Sequence, residues 1–379
     1  MKILHVIYRD EKSKFVKLAT SFINAYFEKE EHDIFYLNYY GESSLVSSDI
    51  DNNQMEIFVK NRYDWISMKK VLCEAKQYDF VMFHSLFPFF LLKTMLTFDK
   101  KLLKKMIWVE FGGDLYPTDD KSIISKIYYG LNKYIAKDLL AFVGIFPPDC
   151  DYFKEKFPGS NAKIYYAPYC GDKVPEEFKH YDSSSRLQET LRKKESIYIL
   201  IGHSAVKRMG HIEVLDYLKR FSERDIKLLI PLSYGDKKYA DEVQKYAEDI
   251  FKEKAICLRS FMEKEEYFNL LRRVDIAVFN AYEQLGLGNI NRMIFWNAKI
   301  YMPENSAMYK YYRSKYIPIN KISDLSKDSF EELISLPVYE NRQRCTEFIK
   351  SFGDMESFRV EPWKKIYDEL RSISVNDTV

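Results

Sequence analysis

Ile197-Tyr198-Ile199-Leu200-Ile201 is an apolar run that ends on Gly202-His203-Ser204. Short apolar runs that end on turn residues are typical of buried strands in a parallel sheet. The carboxyl ends of such strands form the ligand crevice of an open sheet, and small or polar loops there suit a phosphorylated ligand. The arrangement recurs twice: residues 226–230 lead into Pro231-Leu232-Ser233-Tyr234, and residues 276–279 are followed by Glu283-Gln284-Leu285-Gly286-Leu287-Gly288-Asn289.

Length and composition indicate a two-domain protein of the cytoplasm. A chain of 379 residues, 46% of them hydrophobic, can bury two cores. Basic and acidic residues nearly balance, 58 against 56, so no nucleic-acid partner is expected. Five scattered cysteines without C-x-x-C spacing favour reduced thiols. The apolar runs are too short to predict a transmembrane helix or a signal peptide.

Strand and helix patterns alternate along most of the chain, which predicts parallel sheets covered by helices. In the first half, strands are predicted at residues 2–8, 34–37, 80–84, 106–109, 141–146 and 163–166, and helices at 13–27 and 122–139. A second alternation runs from residue 197 to about residue 318, with helices near 211–221, 237–251, 264–273 and 289–296. The pattern of residues 329–373 predicts helices and no strands.

These patterns predict an N-terminal α/β domain (1–175), a polar linker (176–195), a second α/β domain (196–325) and a helical tail (326–379) that packs back towards the first domain. Two doubly wound, Rossmann-like domains facing a central cleft, with such a tail, resemble the GT-B architecture. The resemblance implies that a nucleotide sugar binds the C-terminal domain and that the acceptor approaches from the N-terminal domain.

The loop Gly202-His203-Ser204 has the features of an anion site. It follows a predicted strand and precedes a predicted helix, where backbone N–H groups favour an anion and glycine permits close approach. Lys207 and Arg208 follow closely and would neutralise a diphosphate. The alternative is an ordinary turn with two surface bases.

The loop from Glu283 to Asn289 carries two glycines and leads into an apolar helix, which again suits phosphate binding. A glycine-rich structural turn is the alternative. The order of residues 259–289 resembles the donor-binding segment of GT-B glycosyltransferases. In that segment, the residues that match Phe261 and Met262 flank the nucleotide base, and the glycine loop holds the diphosphate and the sugar.

Many retaining GT-B enzymes carry two glutamates in this segment with seven residues between them. This chain has Glu283 at the first position but Asn291 at the second, which leaves the inverting and retaining outcomes open. The predicted donor-binding residues are Gly202, His203, Ser204, Lys207, Arg208, His211, Pro231, Ser233, Tyr234, Phe261, Met262, Glu283, Gln284, Gly286, Gly288 and Asn289.

Five short motifs, spread in order over most of the chain, resemble one bacterial family, glycosyltransferase family 56. That family moves 4-acetamido-4,6-dideoxygalactose (Fuc4NAc) from its dTDP form to a polyprenyl-linked disaccharide, lipid II of enterobacterial common antigen. The family pattern has Asn at position 203 and a Gln-rich loop one residue shorter, so the identity of the sugar stays open. The motifs are Phe83-His84-Ser85-Leu86-Phe87-Pro88, Trp108-Val109-Glu110-Phe111-Gly112-Gly113-Asp114-Leu115-Tyr116, Gly202-His203-Ser204 with His211, Pro231-Leu232-Ser233-Tyr234, and Gln284-Leu285-Gly286-Leu287-Gly288.

An inverting glycosyl transfer needs a base that takes the proton of the acceptor hydroxyl. Asp114 is the first candidate, because it follows a predicted strand and two glycines, and Glu110 and His84 are the next. The alternatives are a helix N-cap for Asp114 and a structural role for His84. His211 is predicted near the donor phosphate, and an exposed helix residue is the alternative for it.

No Asp-x-Asp motif follows a predicted strand, so neither a metal ion nor a cofactor is expected. Asp149-Cys150-Asp151 has the spacing, but it follows Pro147-Pro148 and opens a predicted helix. Lys207, Arg208 and helix N-termini would instead stabilise the leaving diphosphate.

Residues 88–105 combine Phe, Leu and Lys in a way that suits an interfacial helix on an anionic membrane. Residues 122–137 add further lysines among tyrosines. The alternative is a buried helix followed by a basic turn. The prediction is peripheral attachment to the inner face of the cytoplasmic membrane. The lysines concerned are Lys100, Lys101, Lys104, Lys105, Lys126, Lys133 and Lys137.

The sequence thus predicts a metal-independent GT-B glycosyltransferase that uses a dTDP- or UDP-sugar and a lipid-linked saccharide acceptor in bacterial surface polysaccharide synthesis. One alternative is a UDP-hexose-dependent GT-B transferase of capsule or O-antigen assembly. The other is a non-catalytic partner protein that binds a sugar nucleotide.

Overall fold

The computed structural model describes residues 1–9, 14–39, 54–60, 64–86, 90–117, 122–169 and 196–376. The chain forms two compact units. Unit 1 comprises Met1–Val174 and Asp354–Val379, and unit 2 comprises Pro175–Gly353. The predicted linker, residues 176–195, lies outside the described residues, and the predicted domain boundaries stay a prediction.

Unit 1 is built on seven parallel strands. They are β1 (Ile3–Arg9), β2 (His32–Tyr39), β3 (Gln54–Val59), β4 (Phe80–His84), β5 (Met106–Val109), β6 (Ala141–Gly144) and β7 (Lys163–Tyr166). Their order in the sheet is β3-β2-β1-β4-β5-β6-β7. The direction of winding therefore reverses between β1 and β4, and open α/β sheets bind ligands at the carboxyl end of such a switch point.

Helices cover both faces of this sheet, because strands in a parallel sheet are apolar on both sides. In β1, Ile3 and Ile7 belong to one buried cluster, and Leu4 and Val6 belong to the other. The helices of this part of the chain are α1 (Lys14–Tyr26), α2 (Trp65–Ala75), α3 (Phe90–Phe98), α4 (Lys100–Leu103), α5 (Ile123–Asp138) and α6 (Pro147–Lys156). Side chains of α2 to α6 pack in the cluster of Leu4, and side chains of α1 pack in the cluster of Ile3.

Unit 2 also contains a parallel sheet, which has six strands among the described residues. They are β8 (Ile197–Ile201), β9 (Ile226–Pro231), β10 (Ala255–Leu258), β11 (Ile276–Val278), β12 (Lys299–Met302) and β13 (Ile319–Lys321). The strand order is β10-β9-β8-β11-β12-β13, which places the switch point of this sheet between β8 and β11.

The helices of unit 2 follow local signals in the sequence. In the longest of them, Asp236 caps the first turn by accepting hydrogen bonds from the N–H groups of Lys238 and Tyr239. Tyr239, Ala240, Val243, Ala247 and Phe251 then form its buried stripe at helical spacing. The helices are α7 (His211–Leu218), α8 (Lys237–Phe251), α9 (Lys264–Leu271), α10 (Leu287–Phe295), α11 (Ala307–Ser314), α12 (Ile322–Leu325), α13 (Phe330–Leu333) and α14 (Arg342–Ser351).

The last helix, α15 (Glu361–Asn376), belongs to unit 1. It buries Trp363, Ile366, Tyr367 and Leu370 in the same cluster as Ile3 and Phe22. The indole N–H of Trp363 donates to the carbonyl oxygen of Pro168 at 3.0 Å. A π-helical turn, Glu356–Val360, precedes α15, and residues 326–353 of the predicted tail belong to unit 2.

The predicted fold class, two parallel-sheet α/β units with a helical C-terminal segment, is confirmed. Strands β4, β5 and β7 have the predicted bounds. The sequence patterns did not reveal β3, α2, β10, β12 or β13. β12 shows why: it begins with a buried Lys299, whose ammonium group donates to the carbonyl of Glu332 and to Ser335, so a charged residue interrupts the apolar pattern.

Candidate active site

Most of the predicted donor-binding residues lie on the loops that follow β8, β9 and β11, and we call this region the donor edge (residues 202–211, 231–236 and 279–289). The loops after β8 and β11 flank the switch point of unit 2. An isolated parallel bridge between Ala205 and Gly235 joins the loops after β8 and β9. The structure therefore brings together residues that are up to 87 positions apart in the sequence.

Gly202 and His211 form a close contact at the donor edge. Gly202 has a φ of +65°, and a Cβ atom on it would lie 2.6 Å from Nε2 of His211. His211 is fully buried rather than an exposed helix residue, and its Nδ1 lies 3.3 Å from the hydroxyl of Tyr239. Burial, with a smaller contribution from His203, lowers the pKa of His211 to about 4, so the ring is neutral. Its Nε2 has no hydrogen-bond partner among the described residues.

A second close contact joins the first loop to the glycine loop. Gly286 has a φ of +78°, and a Cβ atom on it would lie 2.9 Å from Nδ1 of His203. Nε2 of His203 lies 3.3 Å from Oγ of the buried Ser204. Burial lowers the pKa of His203 to about 4. Both histidines of the donor edge thus present neutral rings against glycine backbone.

An ion pair also connects the loops after β8 and β11. Nη1 of Arg208 lies 3.0 Å from Oε1 of Glu283, and both side chains are mostly buried. Arg208 belongs to a short 3-10 turn, Lys207–Met209, in which Lys207 is exposed. The arginine is therefore held near the switch point by a carboxylate, while the lysine beside it faces solvent.

The N-terminus of α10 is suited to an anion. Its N-cap is Gly286, which offers no side chain to the first N–H groups, and its first turn contains no acidic residue. The free N–H groups and the helix dipole there attract negative charge. Asn289 in the first turn donates to the hydroxyl of Tyr267 at 2.7 Å, which fixes its side chain.

Two aromatic rings stack at the outer part of the donor edge. The rings of Tyr234 and Phe261 are nearly parallel, with centroids 6.1 Å apart, and both are largely exposed. Exposed parallel rings of this kind suit a planar base. Ser233 and Met262 are half-buried nearby in the sequence, whereas Pro231 is buried at the end of β9.

The acceptor edge of unit 1 is formed by the loops after β4, β5 and β6 (residues 85–86, 110–116 and 145–149), together with His84 at the end of β4 and Tyr169 beyond β7. Within the acceptor edge, the side chain of Asp114 accepts three hydrogen bonds. Its carboxylate accepts from the N–H groups of Leu86 and Phe111, both at 2.9 Å, and from the indole N–H of Trp108 at 2.6 Å. Asp114 is fully buried and joins the loops after β4 and β5, so it is not a helix N-cap.

Glu110 and Asp149 form a buried carboxyl pair beside Asp114. Glu110 accepts hydrogen bonds from the N–H groups of Gly112 and Ile145, and Asp149 accepts from the hydroxyl of Tyr116 at 2.6 Å. Burial, followed by the charges of Asp149 and Asp114, raises the pKa of Glu110 well above its usual range. Burial raises the pKa of Asp149 to about 6. Burial and the neighbouring carboxylates therefore favour the protonated form of Glu110.

Lys93 on α3 is buried next to this network. Its Nζ lies 3.6 Å from the centroid of the Tyr128 ring and has no hydrogen-bond partner among the described residues. Burial lowers the pKa of Lys93 to about 7, and the charge of Asp114 opposes that shift. The amide of Asn132 and the hydroxyl of Tyr128 donate to the carbonyls of Asp114 and Leu86, which fixes α5 against the same loops.

His84, the third predicted catalytic residue, ends β4 and is buried. Its Nε2 lies 2.9 Å from Nδ1 of His5, and its Nδ1 lies 3.3 Å from the hydroxyl of Tyr169. Burial lowers the pKa of His84 to about 3, so the ring is neutral. Ser85 follows with a φ of +71°, a backbone conformation that costs a serine about 1 kcal/mol and is frequent at functional sites.

A family-profile comparison identifies the class of enzyme. The profile described as 4-alpha-L-fucosyltransferase, glycosyl transferase group 56, matches residues 2–334. The chain belongs to this family. The resemblance noted in the sequence motifs is confirmed, and both edges fall within the matched segment.

Solved structures confirm that this group 56 transferase has the GT-B fold. The N-terminal domain of Candida albicans trehalose-6-phosphate phosphatase matches with a TM-score of 0.61 and 13% identity over 98% of this chain and 96% of that one. The Escherichia coli trehalose-6-phosphate structure bound with UDP-2-fluoro glucose has a TM-score of 0.60 at 10% identity, covering 98% and 99%. Anabaena HepE in complex with UDP has a TM-score of 0.60 at 11% identity, covering 98% and 100%.

The sequence patterns of the transferase missed three buried residues, His5, Lys93 and Asp149, and the half-buried Tyr169, which shape the acceptor edge. Asp149 was noticed only for its spacing to Asp151, and Lys93 only as part of an apolar helix. His5 and Tyr169 carried no sequence signal, because their importance depends on contacts with His84, 79 and 85 positions away. In the described part of the chain, no group of three or more His, Cys, Asp or Glu side chains is arranged to hold a metal ion.

In the segment predicted to lie on a membrane, the structure buries some of the apolar side chains and exposes others. Residues 87–89 lie outside the described residues, and Leu92, Leu96, Leu102 and Leu103 of α3 and α4 are core residues. The first half of α5 instead exposes Ile123 (75%), Ile124 (55%) and Ile127 (48%). None of the helices that the structure describes combines the length and the apolar character needed to span a bilayer.

Proposed function

We propose that this glycosyltransferase moves a deoxyamino sugar, such as Fuc4NAc, from a dTDP-sugar to a polyprenyl-diphosphate-linked saccharide in bacterial surface polysaccharide synthesis. The observation that carries the proposal is the donor edge. Neutral histidines, positive-φ glycines and an uncapped helix N-terminus converge at the switch point of unit 2, in a chain of family 56. The choice of sugar, base and lipid rests on the family resemblance of the motifs.

The donor edge would bind the nucleotide sugar through three groups of residues. The N-terminus of α10, near Gly286 and Gly288, would supply N–H groups to the diphosphate, and the side chain of Asn289 lies in the same first turn. Arg208 and Lys207 supply positive charge, which stabilises the leaving diphosphate without a metal ion. The remaining predicted contacts are Tyr234 on the loop after β9 and Phe261 on the segment after β10 for the base, and Glu283 and Gln284 on the loop after β11 for the sugar.

The acceptor edge would supply the base. Asp114 already accepts three hydrogen bonds, and burial with the neighbouring carboxylates raises the pKa of Glu110. His84 is neutral and has a ring nitrogen, Nδ1, directed to a tyrosine hydroxyl at the carboxyl end of β4. We therefore favour His84 over Asp114 and Glu110 as the group that receives the proton, and we assign Asp114 and Glu110 to holding the loops.

The enzyme would reach a lipid-linked acceptor by lying on the membrane with α5. Ile123, Ile127 and Tyr134 lie on one exposed face of α5 at helical spacing, where a helix in water normally presents polar groups. Lys126, Lys133 and Lys137 are exposed on the same helix and complement an anionic leaflet. This combination is typical of an interfacial helix.

A binding panel followed by a transfer assay tests the proposed reaction. We expect dTDP to raise the melting temperature more than UDP or GDP at the same concentration, because the ligand with the lowest Kd stabilises the fold most. A ligand at 100 times its Kd stabilises by ~2.7 kcal/mol. dTDP-Fuc4NAc with a polyprenyl-diphosphate disaccharide should then give dTDP and a trisaccharide lipid. Stabilisation by UDP alone, with transfer from a UDP-hexose, would establish the capsule-type alternative.

Two variants test the alternative of a non-catalytic partner protein. If Asp114→Asn and Glu283→Gln left the polysaccharide of a complemented strain unchanged, while the purified protein bound nucleotide without transfer, a binding role would be favoured. Loss of polysaccharide with Glu283→Gln, at normal protein levels and with nucleotide binding retained, supports the enzyme.

Flotation with liposomes of phosphatidylglycerol and phosphatidylcholine tests the membrane surface. Ile123→Ser with Ile127→Ser should abolish flotation. Lys126→Gln, Lys133→Gln and Lys137→Gln together should weaken flotation and reduce its dependence on salt concentration, because the attraction to anionic lipid is lost. The matched control is Lys237→Gln with Lys238→Gln, two exposed lysines of unit 2. Wild-type protein that does not float at any salt concentration would reject this part of the proposal.

A further inference from the structure

Two helices of unit 1, α2 and α5, expose large apolar side chains where each helix begins. Trp65 and Ile66 open α2 and are 53% and 76% exposed. Ile123, Ile124 and Ile127 lie in the first two turns of α5 and are exposed as well. Exposure of side chains of this size is unfavourable in water, and clusters of them mark interaction sites on protein surfaces.

The start of α2 is tied to the carboxyl end of β3. The carboxylate of Asp64, the N-cap of α2, accepts a hydrogen bond from the N–H of Lys60 at 3.0 Å, directly after β3. The hydroxyl of Ser67 lies 3.1 Å from the carbonyl oxygen of Phe58 on β3. These contacts lie on either side of the exposed pair in the sequence and hold it at the carboxyl edge of the sheet.

The start of α5 is tied to the same edge. The hydroxyl of Tyr128 donates to the carbonyl of Leu86 after β4 at 2.8 Å, and the hydroxyl of Tyr129 donates to the carbonyl of Gly113 after β5 at 2.7 Å. Both helices pack in the cluster of Leu4, and α3 contacts both of them. Neighbouring helices pack 8–10 Å apart, so the two helix starts are about 20 Å apart along one edge of unit 1.

Exposed lysines accompany both apolar groups. Lys69 and Lys70 follow on the second turn of α2, and Nζ of Lys69 lies 5.0 Å from the centroid of the Trp65 ring. Lys126 and Lys133 are exposed on α5, and the first turn of neither helix contains an acidic residue. Positive charge beside exposed apolar side chains complements an anionic bilayer, where tryptophan is enriched at the interface. A second copy of the chain on this surface would instead bring like charges together.

We propose that Trp65 and Ile66 are a second membrane anchor beside α5, so that the carboxyl edge of the unit 1 sheet, which carries the acceptor edge, rests on an anionic bilayer. This rests on the proposed function, which already assigns α5 to the membrane. Two contacts about 20 Å apart fix the tilt of unit 1, whereas a single interfacial helix can roll about its own axis. A lipid-linked saccharide then reaches the acceptor edge while its lipid stays in the bilayer.

Fluorescence quenching by brominated lipid tests the contact of Trp65 with the bilayer. The chain has four tryptophans, of which Trp108 and Trp363 are buried and Trp296 is half-buried in unit 2. Vesicles of phosphatidylglycerol and brominated phosphatidylcholine should quench the wild-type emission, and Trp65→Phe should remove that quenching. Because phenylalanine keeps an apolar ring, this variant should still float. Wild-type protein that floats but is quenched no more than Trp65→Phe would overturn the proposal.

A double variant measures how much the second anchor contributes. Trp65→Ser with Ile66→Ser should lower the vesicle partition coefficient roughly tenfold or more, because two apolar side chains no longer leave water. The matched control is Phe98→Ser, since Phe98 is 84% exposed at the end of α3, towards the amino end of β5, and it should leave partitioning unchanged. Weaker partitioning of Phe98→Ser, with wild-type partitioning of the double variant, would overturn the proposal.

Transfer to a short-chain acceptor that is free in solution separates this inference from the proposed function. The double variant should keep the wild-type kcat with that acceptor and lose rate only with a long-chain acceptor in vesicles. A wild-type enzyme that transfers no sugar would overturn the proposed function, and the quenching result would still decide whether α2 contacts lipid. Self-association of the wild type that the double variant abolishes, without any binding to vesicles, would overturn the proposal in favour of a second copy.

Discussion

At the donor edge of unit 2, positive-φ glycines lie against neutral imidazole rings, and the loops are joined by backbone hydrogen bonds and by the ion pair of Arg208 with Glu283. At the acceptor edge of unit 1, buried carboxyl groups accept hydrogen bonds from backbone N–H groups of neighbouring loops. Both regions follow the carboxyl ends of a parallel sheet. The two edges therefore differ in how they use backbone N–H groups: the N-terminus of α10 has no side-chain cap, which suits an anion, whereas the carboxylates of the acceptor edge accept from the N–H groups of its own loops.

The largest effect that we expect is a loss of folding stability at acid pH, and it should be greater in unit 1 than in unit 2. Burial lowers the pKa of His5, His32 and His84 in unit 1 and of His203 and His211 in unit 2. The unfolded chain titrates near pH 6.5, so between pH ~6.5 and ~4 it binds more protons than the folded chain and stability falls as the pH falls. A pKa lowered from 6.5 to about 4, as for His32, His203 and His211, corresponds to at most ~3.4 kcal/mol of this loss, and the pKa of His84, about 3, allows a larger loss.

Urea unfolding at pH 7.5, 6.0 and 5.0, with hydrogen exchange to separate the two units, measures the acid effect. The raised pKa values of Glu110 and Asp149 act in the opposite direction, since their folded forms bind protons more readily than the unfolded chain. We expect the three histidines of unit 1 to outweigh that pair. His203→Asn should reduce the loss in unit 2 only, and equal stability at pH 7.5 and 5.0 would contradict neutral buried rings.

Asp114→Ala should destabilise the acceptor edge by ~4 kcal/mol. The change leaves two backbone N–H groups and the indole N–H of Trp108 without their acceptor in a buried site. Hydrogen exchange of residues 106–116 should increase strongly. The matched control is Asp151→Ala, because the Asp151 side chain is 81% exposed, and it should change stability by less than ~0.5 kcal/mol.

Gly286→Ala should destabilise the donor edge by ~2 kcal/mol and weaken nucleotide binding. The new Cβ would meet His203, and alanine at positive φ costs ~1–2 kcal/mol. Gly288→Ala is the matched control, because its Cβ would lie 3.5 Å from Nη1 of Arg292 and its backbone is not in the left-handed region. Calorimetric Kd values for dTDP and melting temperatures of the two variants decide the matter; equal values would show that close approach at Gly286 is unimportant.

Glu283→Gln should have the smallest effect on stability, below ~1 kcal/mol, because a partly exposed ion pair is worth little. Its effect on diphosphate binding should be opposite to that of a variant of Arg208. Release of Arg208 from Glu283 should tighten binding of a nucleoside diphosphate a few-fold, whereas Arg208→Gln should weaken it by roughly tenfold. Weaker diphosphate binding in Glu283→Gln would indicate that the carboxylate itself contacts the ligand.

The donor edge was more predictable than the acceptor edge. Gly202, Gly286 and the order of strand, loop and helix around them mark the switch point of unit 2, because glycines and apolar runs are local features. The acceptor edge depends on partners far apart in the chain. Asp114 looked like a general base beside a flexible turn, and only its contacts with Leu86 and Trp108 show it holding two loops together.

The alternation of strands and helices, the two parallel sheets and the family could be read from hydrophobic periodicity and short motifs. Which polar groups are buried and what they contact became known from the packed structure. His5, His32, His84 and Tyr169 are separated by up to 164 positions, yet they form one hydrogen-bonded chain. The physical reason is that burial and hydrogen-bond partners set protonation and orientation, and both arise only when distant segments pack.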